Sequence, residues 1–413
     1  MHINMPENVK YIINKLKKTG FEAYVVGGCV RDSIMGIIPK DWDITTNAKP
    51  GEIKKIFRRS IDTGIKHGTV TLLINKSTYE VTTYRIDGNY SDGRHPDRVL
   101  FCSLLEEDLK RRDFTINAMA YNDEEGLIDR FGGVKDIQNQ IIRCVGKPTE
   151  RFSEDALRML RAVRFCAALD FTLETQTCEA IKLLHANLSK VSSERIFVEL
   201  DKMLRAFHPE YISAVFESGL YKYCSENFKK ISRADTELFK YASKLPDKRY
   251  VRWAALMRSL EPDTAKKILK ELKADNECVN KTASVVKFLK EEISGEKCEL
   301  KKLLLKLGSE LLETVLIIRS SDLIKYDKNI PYISDEEFNI INNTLKEIYM
   351  NKEPYRIDML NIDGGDLINL GIKEGPEIGK LLKQLLEAVL EAPELNSKAA
   401  LLSLVQNLYS GFR

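Results

Sequence analysis

A pair of glycines followed by an arginine is the first group in this sequence that could do chemistry. Residues 24–46 read YVVGGCVRDSIMGIIPKDWDITT, with Gly27 and Gly28 after a β-branched run and Arg31 three residues later. Glycines between a strand and a helix let backbone N–H groups approach a phosphate at the positive end of the helix dipole. The pattern predicts a phosphate-binding turn that uses Gly28 and Arg31.

Two carboxylates stand near this turn in the sequence. Asp41 and Asp43 are separated by one residue and lead into the apolar Ile44. On an extended segment, side chains at i and i+2 point to the same face. Paired oxygen ligands of this kind suit Mg²⁺, which binds through one or two carboxylates and substrate phosphates. A glycine turn or a DxD pair alone is compatible with an ordinary loop, but together they predict a two-metal nucleotidyl-transfer site.

The elements that must position these residues are a buried strand before Gly27 and a short helix that contains Arg31. A preceding helix is predicted within residues 1–20, and a hairpin with strands at 69–74 and 79–85 is predicted farther on. Glu80 lies on the second hairpin strand. If that strand lies beside the aspartates, Glu80 is a third carboxylate of the site; otherwise it is a strand-end residue in solvent.

A second chemically informative stretch covers residues 151–171, RFSEDALRMLRAVRFCAALDF. We predict one helix here, with Ser153 as its N-cap and Glu154 and Asp155 in its first turn. Because the helix is apolar over most of its circumference, it should be largely buried.

Charged side chains recur along this helix at three-residue steps, namely Asp155, Arg158, Arg161 and Arg164. A buried arginine needs an acid, a carbonyl or a ligand phosphate as partner. One interpretation is a set of internal salt bridges. The other is that Asp155 and Arg158, one turn apart, together read the hydrogen-bonding edge of cytosine or adenine, which uracil and guanine do not match.

The motifs GGCVRD and DWDITT resemble the catalytic signature of the tRNA nucleotidyltransferases, the CCA-adding enzymes of the bacterial and eukaryotic class. The resemblance continues in RRDFTINAMAY, in EDALR and in ERIFVEL. It implies that Arg112 contacts the nucleotide, that Asp155 and Arg158 read its base, and that Arg161 and Arg164 contact the incoming nucleotide. It also implies that residues 194–200 form a neck helix that supports the reading helix.

The resemblance implies an α+β fold with a polymerase-β-like nucleotidyltransferase head that carries a mixed or antiparallel sheet, followed by all-α neck, body and tail domains. We expect the head at residues 1–140, the neck with the nucleotide-reading helix at 141–210, the body at 211–320 and a tRNA-binding tail at 321–413. The polar loop at residues 86–98 is expected to help switch nucleotide preference, as the corresponding loop does in the family.

Composition sets wide limits on the class of protein. The chain has 413 residues, a net charge of +3 and 43% hydrophobic residues, which is ordinary for a globular protein. It has no apolar run of about 18 residues, so we expect no membrane span. The eight cysteines show no CxxC spacing, which favours reduced thiols in the cytoplasm.

Taken together, the sequence predicts an enzyme that adds CCA to the 3′ end of tRNA from CTP and ATP, without a nucleic-acid template. Asp41 and Asp43 would hold Mg²⁺ as the cofactor, with Glu80 as a further catalytic candidate. The alternatives are a poly(A) polymerase, which shares the head motifs, a specialist that adds only CC or only A, and a catalytically idle RNA-binding module. The intact aspartates argue against the last.

Overall fold

The computed structural model describes residues 2–65, 68–87, 99–327 and 329–410. The chain divides into two compact units, one formed by Met1–Ser243 with Lys267–Ala274 and the other by Lys244–Lys266 with Asp275–Arg413. The finer division into head, neck, body and tail stays a prediction.

The strands all lie in the first unit, in the described part of the chain. They are β1 Ala23–Val26, β2 Ile44–Thr46, β3 Ser60–Gly64, β4 Thr69–Ile74, β5 Ser77–Thr83, β6 Arg85–Asp87, β7 Val99–Phe101, β8 Met119–Asn122, β9 Gly126–Asp129, β10 Ile141–Ile142 and β11 Thr172–Leu173. Among the described residues, a seven-stranded sheet has the order β3-β4-β5-β2-β1-β8-β9. Only the β2–β5 pair of this sheet is parallel. The predicted mixed sheet of an α+β head is therefore confirmed.

Short helices surround this sheet, and longer ones follow it. The helices up to residue 243 are α1 Glu7–Lys18, α2 Gly28–Ile34, α3 Pro50–Ile56, α4 Leu105–Lys110, α5 Gly133–Gln138, α6 Pro148–Glu154, α7 Leu157–Leu169, α8 Thr175–Leu184, α9 Ser193–Leu204, α10 Ile212–Glu217 and α11 Arg233–Glu237. Helix α7 packs against α9, as expected for a neck helix that supports the reading helix. Residues 141–210, the predicted neck, also contain the parallel pair β10–β11, so this stretch is not purely helical.

The hairpin β4–β5 forms where the sequence predicts it. Asn75 and Lys76 join the strands with φ values of 48° and 66°, the left-handed backbone of a two-residue turn that matches the twist of a hairpin. The turn fixes the register, with Thr71 opposite Glu80. The position of Glu80 relative to β2 is set by the separate pairing of β2 with β5. Of the predicted loop at 86–98, residues 86 and 87 belong to β6, and residues 88–98 lie outside the described residues.

The prediction of a single helix within residues 151–171 is wrong for the first part of that range. Helix α6 ends at Glu154, Asp155 has extended backbone with φ −138° and ψ 102°, and α7 begins at Leu157. The Asp155 carboxylate accepts the Leu157 N–H at 3.1 Å, and a short side chain that bonds local backbone in this way competes with helix continuation. Ser153 is not an N-cap, because its hydroxyl donates to the Thr149 carbonyl within α6.

Beyond residue 243 the described elements are helices and turns. They are α12 Arg249–Leu256, α13 Pro262–Glu271, α14 Asn276–Leu289, α15 Lys297–Arg319, α16 Asp322–Lys325, α17 Asp335–Met350, α18 Gly364–Asn369, α19 Pro376–Glu391 and α20 Lys398–Ser410. Helix α15 is interrupted at Gly308, whose φ of 73° is not helical. Leu367, Leu385 and Val389 are fully buried in the core of the last helices. Over the residues described, no helix is long and apolar enough to cross a membrane.

The start of α5 tests how tightly the sheet and its helices pack. A Cβ on Gly133 would overlap the backbone carbonyl oxygen of Thr115 and lie 2.8 Å from the sulfur of Met119. We predict that Gly133→Ala lowers the free energy of unfolding by about 1–3 kcal/mol, because the backbone must shift to admit the methyl group. Chemical denaturation measures the change. Gly51→Ala is the matched control, since Gly51 is also in a first helical turn but has open space around it. Equal effects of the two changes would contradict this account of the packing.

Candidate active site

The paired aspartates lie at the mouth of an open cavity of about 610 Å³. Asp41, Asp43 and Glu80 all line it, together with Trp42 and Tyr79. Asp43 directly precedes β2, and its carbonyl accepts the Val26 N–H of β1 at 3.0 Å. The acidic pair is therefore fixed to the end of a central strand, as the sequence pattern predicts.

The sheet register places Glu80 beside this pair. Strands β2 and β5 run parallel with Ile44 opposite Val81, so Asp43 and Glu80 occupy the preceding positions of the two strands. This is the arrangement in which Glu80 could serve as a third carboxylate. In the described residues, however, no group of three or more His, Cys, Asp or Glu side chains is arranged closely enough to hold a metal ion. The catalytic role of Glu80 stays a prediction.

The electrostatics of Asp43 suit a cation ligand. Burial by the surrounding protein raises the pKa of Asp43, the neighbouring Arg112 lowers it, and Asp41 raises it again, with a net upward shift. Two carboxylates that disfavour each other's charge gain from a cation between them. Oxygen donors on one strand end, open to a cavity, therefore fit a hard divalent ion completed by substrate phosphates.

The glycine turn brings an arginine close to Asp43. Gly27 has a φ of 83°, and a Cβ there would lie 3.2 Å from Nη1 of Arg112 and 3.9 Å from Oδ2 of Asp43. A side chain at this position would thus be strained and would push against the site. Gly28 begins α2, and its own ideal Cβ would lie 3.7 Å from Nη2 of Arg31. The sequence pattern identified the turn, but not that Gly27 is its constrained member.

Two of the candidate nucleotide-binding residues, Arg112 and Arg31, are held in place by hydrogen bonds to neighbouring side chains. Arg112 donates to Asp108 at 3.3 Å, and its Nε is buried with no hydrogen-bond partner among the described residues. Burial alone raises the pKa of Asp108, but Arg111 and Arg112 lower it below its ordinary value. Arg31 donates to Oδ1 of Asp32 at 2.7 Å and to Oδ1 of Asn117 at 2.7 Å. These contacts hold both guanidinium groups on the side of the glycine turn.

Asp155 and Arg158 are not paired with each other. The Asp155 carboxylate accepts from Arg195 of α9 at 2.7 Å, whereas Arg158 donates to Glu154 at 2.7 Å and to the Arg111 carbonyl at 3.1 Å. The internal salt bridges that the sequence left open as an alternative are therefore present. The hydrogen bond from Arg158 to the Arg111 carbonyl also connects the start of α7 to the residue before Arg112. Arg112 in turn lies beside Asp43.

The remaining arginines of α7 are ion-paired as well. Arg161 donates through Nε and Nη2 to Oδ2 of Asp113 at 2.9 and 2.6 Å, and Arg164 pairs with the buried Glu199 of α9. Burial by itself raises the pKa of Asp113, but the Arg161 guanidinium and its hydrogen bonds lower it to about 2. Of the adjacent residues Arg112 and Asp113, Arg112 thus lies near Asp43, and Asp113 accepts hydrogen bonds from α7.

Most of these partners are not identifiable from the sequence. Burial predicts acids or carbonyls near the arginines, but it does not select Glu154, Asp113 and Glu199 from the acidic residues of the chain. A usable signal was the four-residue spacing of Arg195 and Glu199, which places both on one face of α9. Residues 194–200, expected to form a helix that supports the reading helix, do so in part through two salt bridges, Arg195–Asp155 and Glu199–Arg164.

The Asp113–Arg161 pair gives a pH-dependent prediction. Because the folded pKa of Asp113 is about 2 against an ordinary 3.8, its stabilisation is complete well above pH 4 and is lost as the pH falls through 2. Asp113→Asn should lower the free energy of unfolding by roughly 2 kcal/mol at pH 7 and by roughly half as much at pH 3. Urea denaturation at both pH values measures this change in the free energy of unfolding.

The exposed Asp62, paired with Lys54, supplies the control Asp62→Asn, which should have little effect at either pH. A constant Asp113→Asn penalty would contradict the assignment.

Comparison with known proteins places these features in one family. The chain matches the models of the poly A polymerase head domain over residues 23–143, the probable RNA and SrmB-binding site of polymerase A over 170–231, and tRNA nucleotidyltransferase domain 2 over 246–405. It is 36% identical over 406 residues to a CCA-adding enzyme of Pediococcus pentosaceus, covering 97% of this chain and 98% of that protein. A CCA-adding enzyme of Streptococcus sanguinis is 39% identical over 387 residues, 92% of each chain.

Solved structures give the same result. The crystal structure of Bacillus stearothermophilus CCA-adding enzyme in complex with CTP is 31% identical, covers 98% of this chain and 100% of its own, and superposes with a TM-score of 0.80. Thermotoga maritima CCA-adding enzyme complexed with tRNA, at 23% identity and a TM-score of 0.63, shares the fold. By sequence over nearly its whole length, by its head motifs and by its fold, the chain belongs to the family of the CCA-adding enzymes.

Proposed function

We propose that this protein adds C, C and A in turn to the 3′ end of tRNA, taking CTP and ATP as substrates and using no template strand. The observation that carries the proposal is the pair Asp41 and Asp43 in one open cavity, with Arg112 beside Asp43 and Asp113 bonded to the reading helix. The similar Bacillus stearothermophilus enzyme, whose crystals contain CTP, supports the choice of substrate. The eight free cysteines fit a protein that works in the reducing cytoplasm.

In the proposed reaction, the terminal 3′ hydroxyl of the tRNA attacks the α-phosphate of the nucleotide, and pyrophosphate leaves. Asp41 and Asp43 would hold Mg²⁺, which when bound lowers the pKa of the attacking hydroxyl and neutralises charge on the phosphate oxygens. Glu80, on the neighbouring strand, adds negative charge to the same cavity. The protein's own task is to fix this acidic face against the nucleotide, which the strand pairing of β1, β2 and β5 does.

The triphosphate would be bound on the opposite side by positive groups. Gly28 begins α2, where backbone N–H groups are open to phosphate, and Arg31 stands three residues later. Arg112 lies beside the acidic pair, and Arg161 and Arg164 add two guanidinium groups from α7. Since each of these four arginines is already held by a carboxylate, the site is organised before the nucleotide arrives, and little reorganisation is needed when charge develops.

The base would be read by Asp155 and Arg158. A carboxylate accepts from the exocyclic amino group of cytosine or adenine, and a guanidinium donates to the ring nitrogen or carbonyl beside it. Arg195 holds the carboxylate of Asp155, and Glu154 holds the guanidinium group of Arg158. Both base-reading side chains therefore have fixed orientations. Uracil and guanine would place a carbonyl acceptor against the Asp155 carboxylate and a ring N–H donor against the Arg158 guanidinium group. The polar groups left unpaired would weaken binding of these two bases.

The other functions differ in their products. A poly(A) polymerase would extend RNA with many adenosines, whereas a specialist would stop after CC or add only A. An RNA-binding module would release no pyrophosphate with any RNA. Incubation of the protein with tRNAs that end at the discriminator base, at C or at CC, with each nucleotide supplied separately and together, followed by sequencing of the 3′ ends, distinguishes all four. We expect the three tRNAs to converge on CCA; any other terminus identifies one of the alternatives.

Removal of either metal-binding aspartate should abolish turnover. We predict that Asp41→Ala and Asp43→Ala each lower kcat at least about a thousandfold, because the charge on the phosphate oxygens is then no longer balanced. Pyrophosphate release measures turnover, and gel-shift titration measures tRNA binding, which should change less than about threefold. Asp62→Ala, in the exposed strand β3, is the matched control. Turnover retained in either active-site variant would overturn the metal assignment.

Removal of the Arg158 side chain should reduce the preference of the protein for CTP over UTP. In Arg158→Ala the guanidinium that faces the base edge is gone, so the ratio of kcat/KM for CTP to that for UTP should fall by about tenfold or more. Initial rates with the four nucleotides on a tRNA that lacks its CCA end give the ratio. The exposed Arg59 provides the control Arg59→Ala, for which we expect no change. An unaltered preference among the four nucleotides in Arg158→Ala would rule out edge reading by this residue.

A further inference from the structure

One buried aromatic ring has three guanidinium groups around it. Phe165 of α7 is only 6% exposed. The Cζ atom of Arg164 lies 3.9 Å from the ring centroid, that of Arg31 at 5.3 Å and that of Arg161 at 5.6 Å. A cation within about 6 Å of a ring centroid is attracted by the negative face of the ring, and proteins show roughly one such contact per 70–80 residues. Three on a single ring are far above that frequency.

These three arginines come from two parts of the first unit. Arg31 belongs to α2, next to the glycine turn, while Arg161 and Arg164 belong to α7. Arg31 is paired with Asp32, Arg161 with Asp113, and Arg164 with Glu199, whose carboxylate also lies 3.7 Å from Nη1 of Arg161. Glu199 therefore links the two arginines of α7, and among the described contacts the ring of Phe165 is the one that all three arginines share.

Three like charges around one point repel each other. Burial lowers the pKa of Arg164, Glu199 raises it, and the neighbouring Arg161 lowers it again, so that it ends below its ordinary value. An aliphatic side chain in the place of Phe165 would fill the space but would offer no negative face to offset this repulsion. The spacing of the guanidinium groups would then depend on the carboxylates alone, of which Glu199 links Arg161 to Arg164.

We propose that Phe165 is a positioning residue that sets the spacing of Arg31, Arg161 and Arg164 for the triphosphate of the incoming nucleotide. The proposal rests on the proposed function, in which these arginines bind the nucleotide. Phe165 acts through the arginines and is too deeply buried to touch the substrate broadly. The rival explanation is simple core packing, for which the edge-to-face contact with Phe114, at a centroid distance of 5.6 Å and an angle of 78°, provides a reason.

The two explanations differ in what happens when the ring keeps its shape but loses its negative face. Replacement of Phe165 by 4-fluoro-, 3,5-difluoro- and 3,4,5-trifluorophenylalanine changes volume little and weakens the attraction for cations stepwise. We expect KM for CTP and for ATP to rise with each fluorine, to about fivefold or more in the trifluoro protein. Both kcat and the denaturation midpoint should stay within about twofold and a few degrees of the unmodified protein. Phe165→Leu should raise KM by about fivefold to thirtyfold, and Phe165→Tyr, which restores a ring, should bring it back toward the original value.

Controls separate the possible failures. The same fluorinated residues at Phe171, a buried ring of the same unit whose described contacts include no guanidinium, should leave KM unchanged. If the unmodified protein adds no nucleotide to tRNA, the proposed function fails first. If it does, and Arg31→Lys raises KM for the nucleotide while the Phe165 fluorine series does not, the positioning role is refuted and the proposed function stands. A KM rise that appears only with loss of stability would likewise assign Phe165 to packing.

Discussion

The ion pair between Asp113 and Arg161 is the constraint on which the rest of the site depends. Asp113 follows Arg112 in the chain, and Arg112 lies beside the acidic pair, so the bond that Arg161 donates to Asp113 fixes α7 relative to Asp41 and Asp43. The Asp113 side chain is 11% exposed and that of Arg161 is 33% exposed, so separation of the two charges would leave a mostly buried carboxylate without its partner. Its energetic effect is seen in the low pKa of Asp113.

Around this bond, the site separates negative from positive charge by secondary structure. Asp41 and Asp43 lie just before β2 and Glu80 lies within the adjacent strand β5, whereas the arginines are on helices α2 and α7 and on the segment after α4. A net charge of +3 hides this local separation, because 64 lysines and arginines are nearly balanced by 61 aspartates and glutamates, and the arginines of the site are each paired with a carboxylate. Such pairing lets several arginines be buried together and still leaves them rigid enough to bind a phosphate chain.

The parts of the fold that local sequence decides were predictable. The Asn75–Lys76 turn, the glycine turn at Gly27 and the two aspartates before β2 depend on backbone conformation within a few residues, and the structure has them where the pattern indicates. The resemblance to the tRNA nucleotidyltransferases supplied the mixed sheet of the head, which periodicity alone does not give.

Features decided by distant residues were not predictable in the same way. One local feature was also missed. Ser153, Glu154 and Asp155 have the composition of a helix start, but the Asp155 carboxylate accepts the Leu157 N–H, and α7 begins at Leu157, three residues after the predicted first helical residue Glu154. The partners of Arg158 and Arg164 were not identifiable either, since Glu154 is one of several nearby acids and Glu199 is 35 residues away in the chain. Pairing of this kind is a property of the packed neck, and a single sequence does not record which acid comes close.

The most direct measurement is a crystal structure of this protein with magnesium and a non-hydrolysable analogue of CTP. The account predicts the metal on Asp41 and Asp43, the triphosphate between that pair and the arginines of α2 and α7, and the cytosine edge against Asp155 and Arg158. A nucleotide bound away from the aspartates, or with its base directed away from α7, would contradict it.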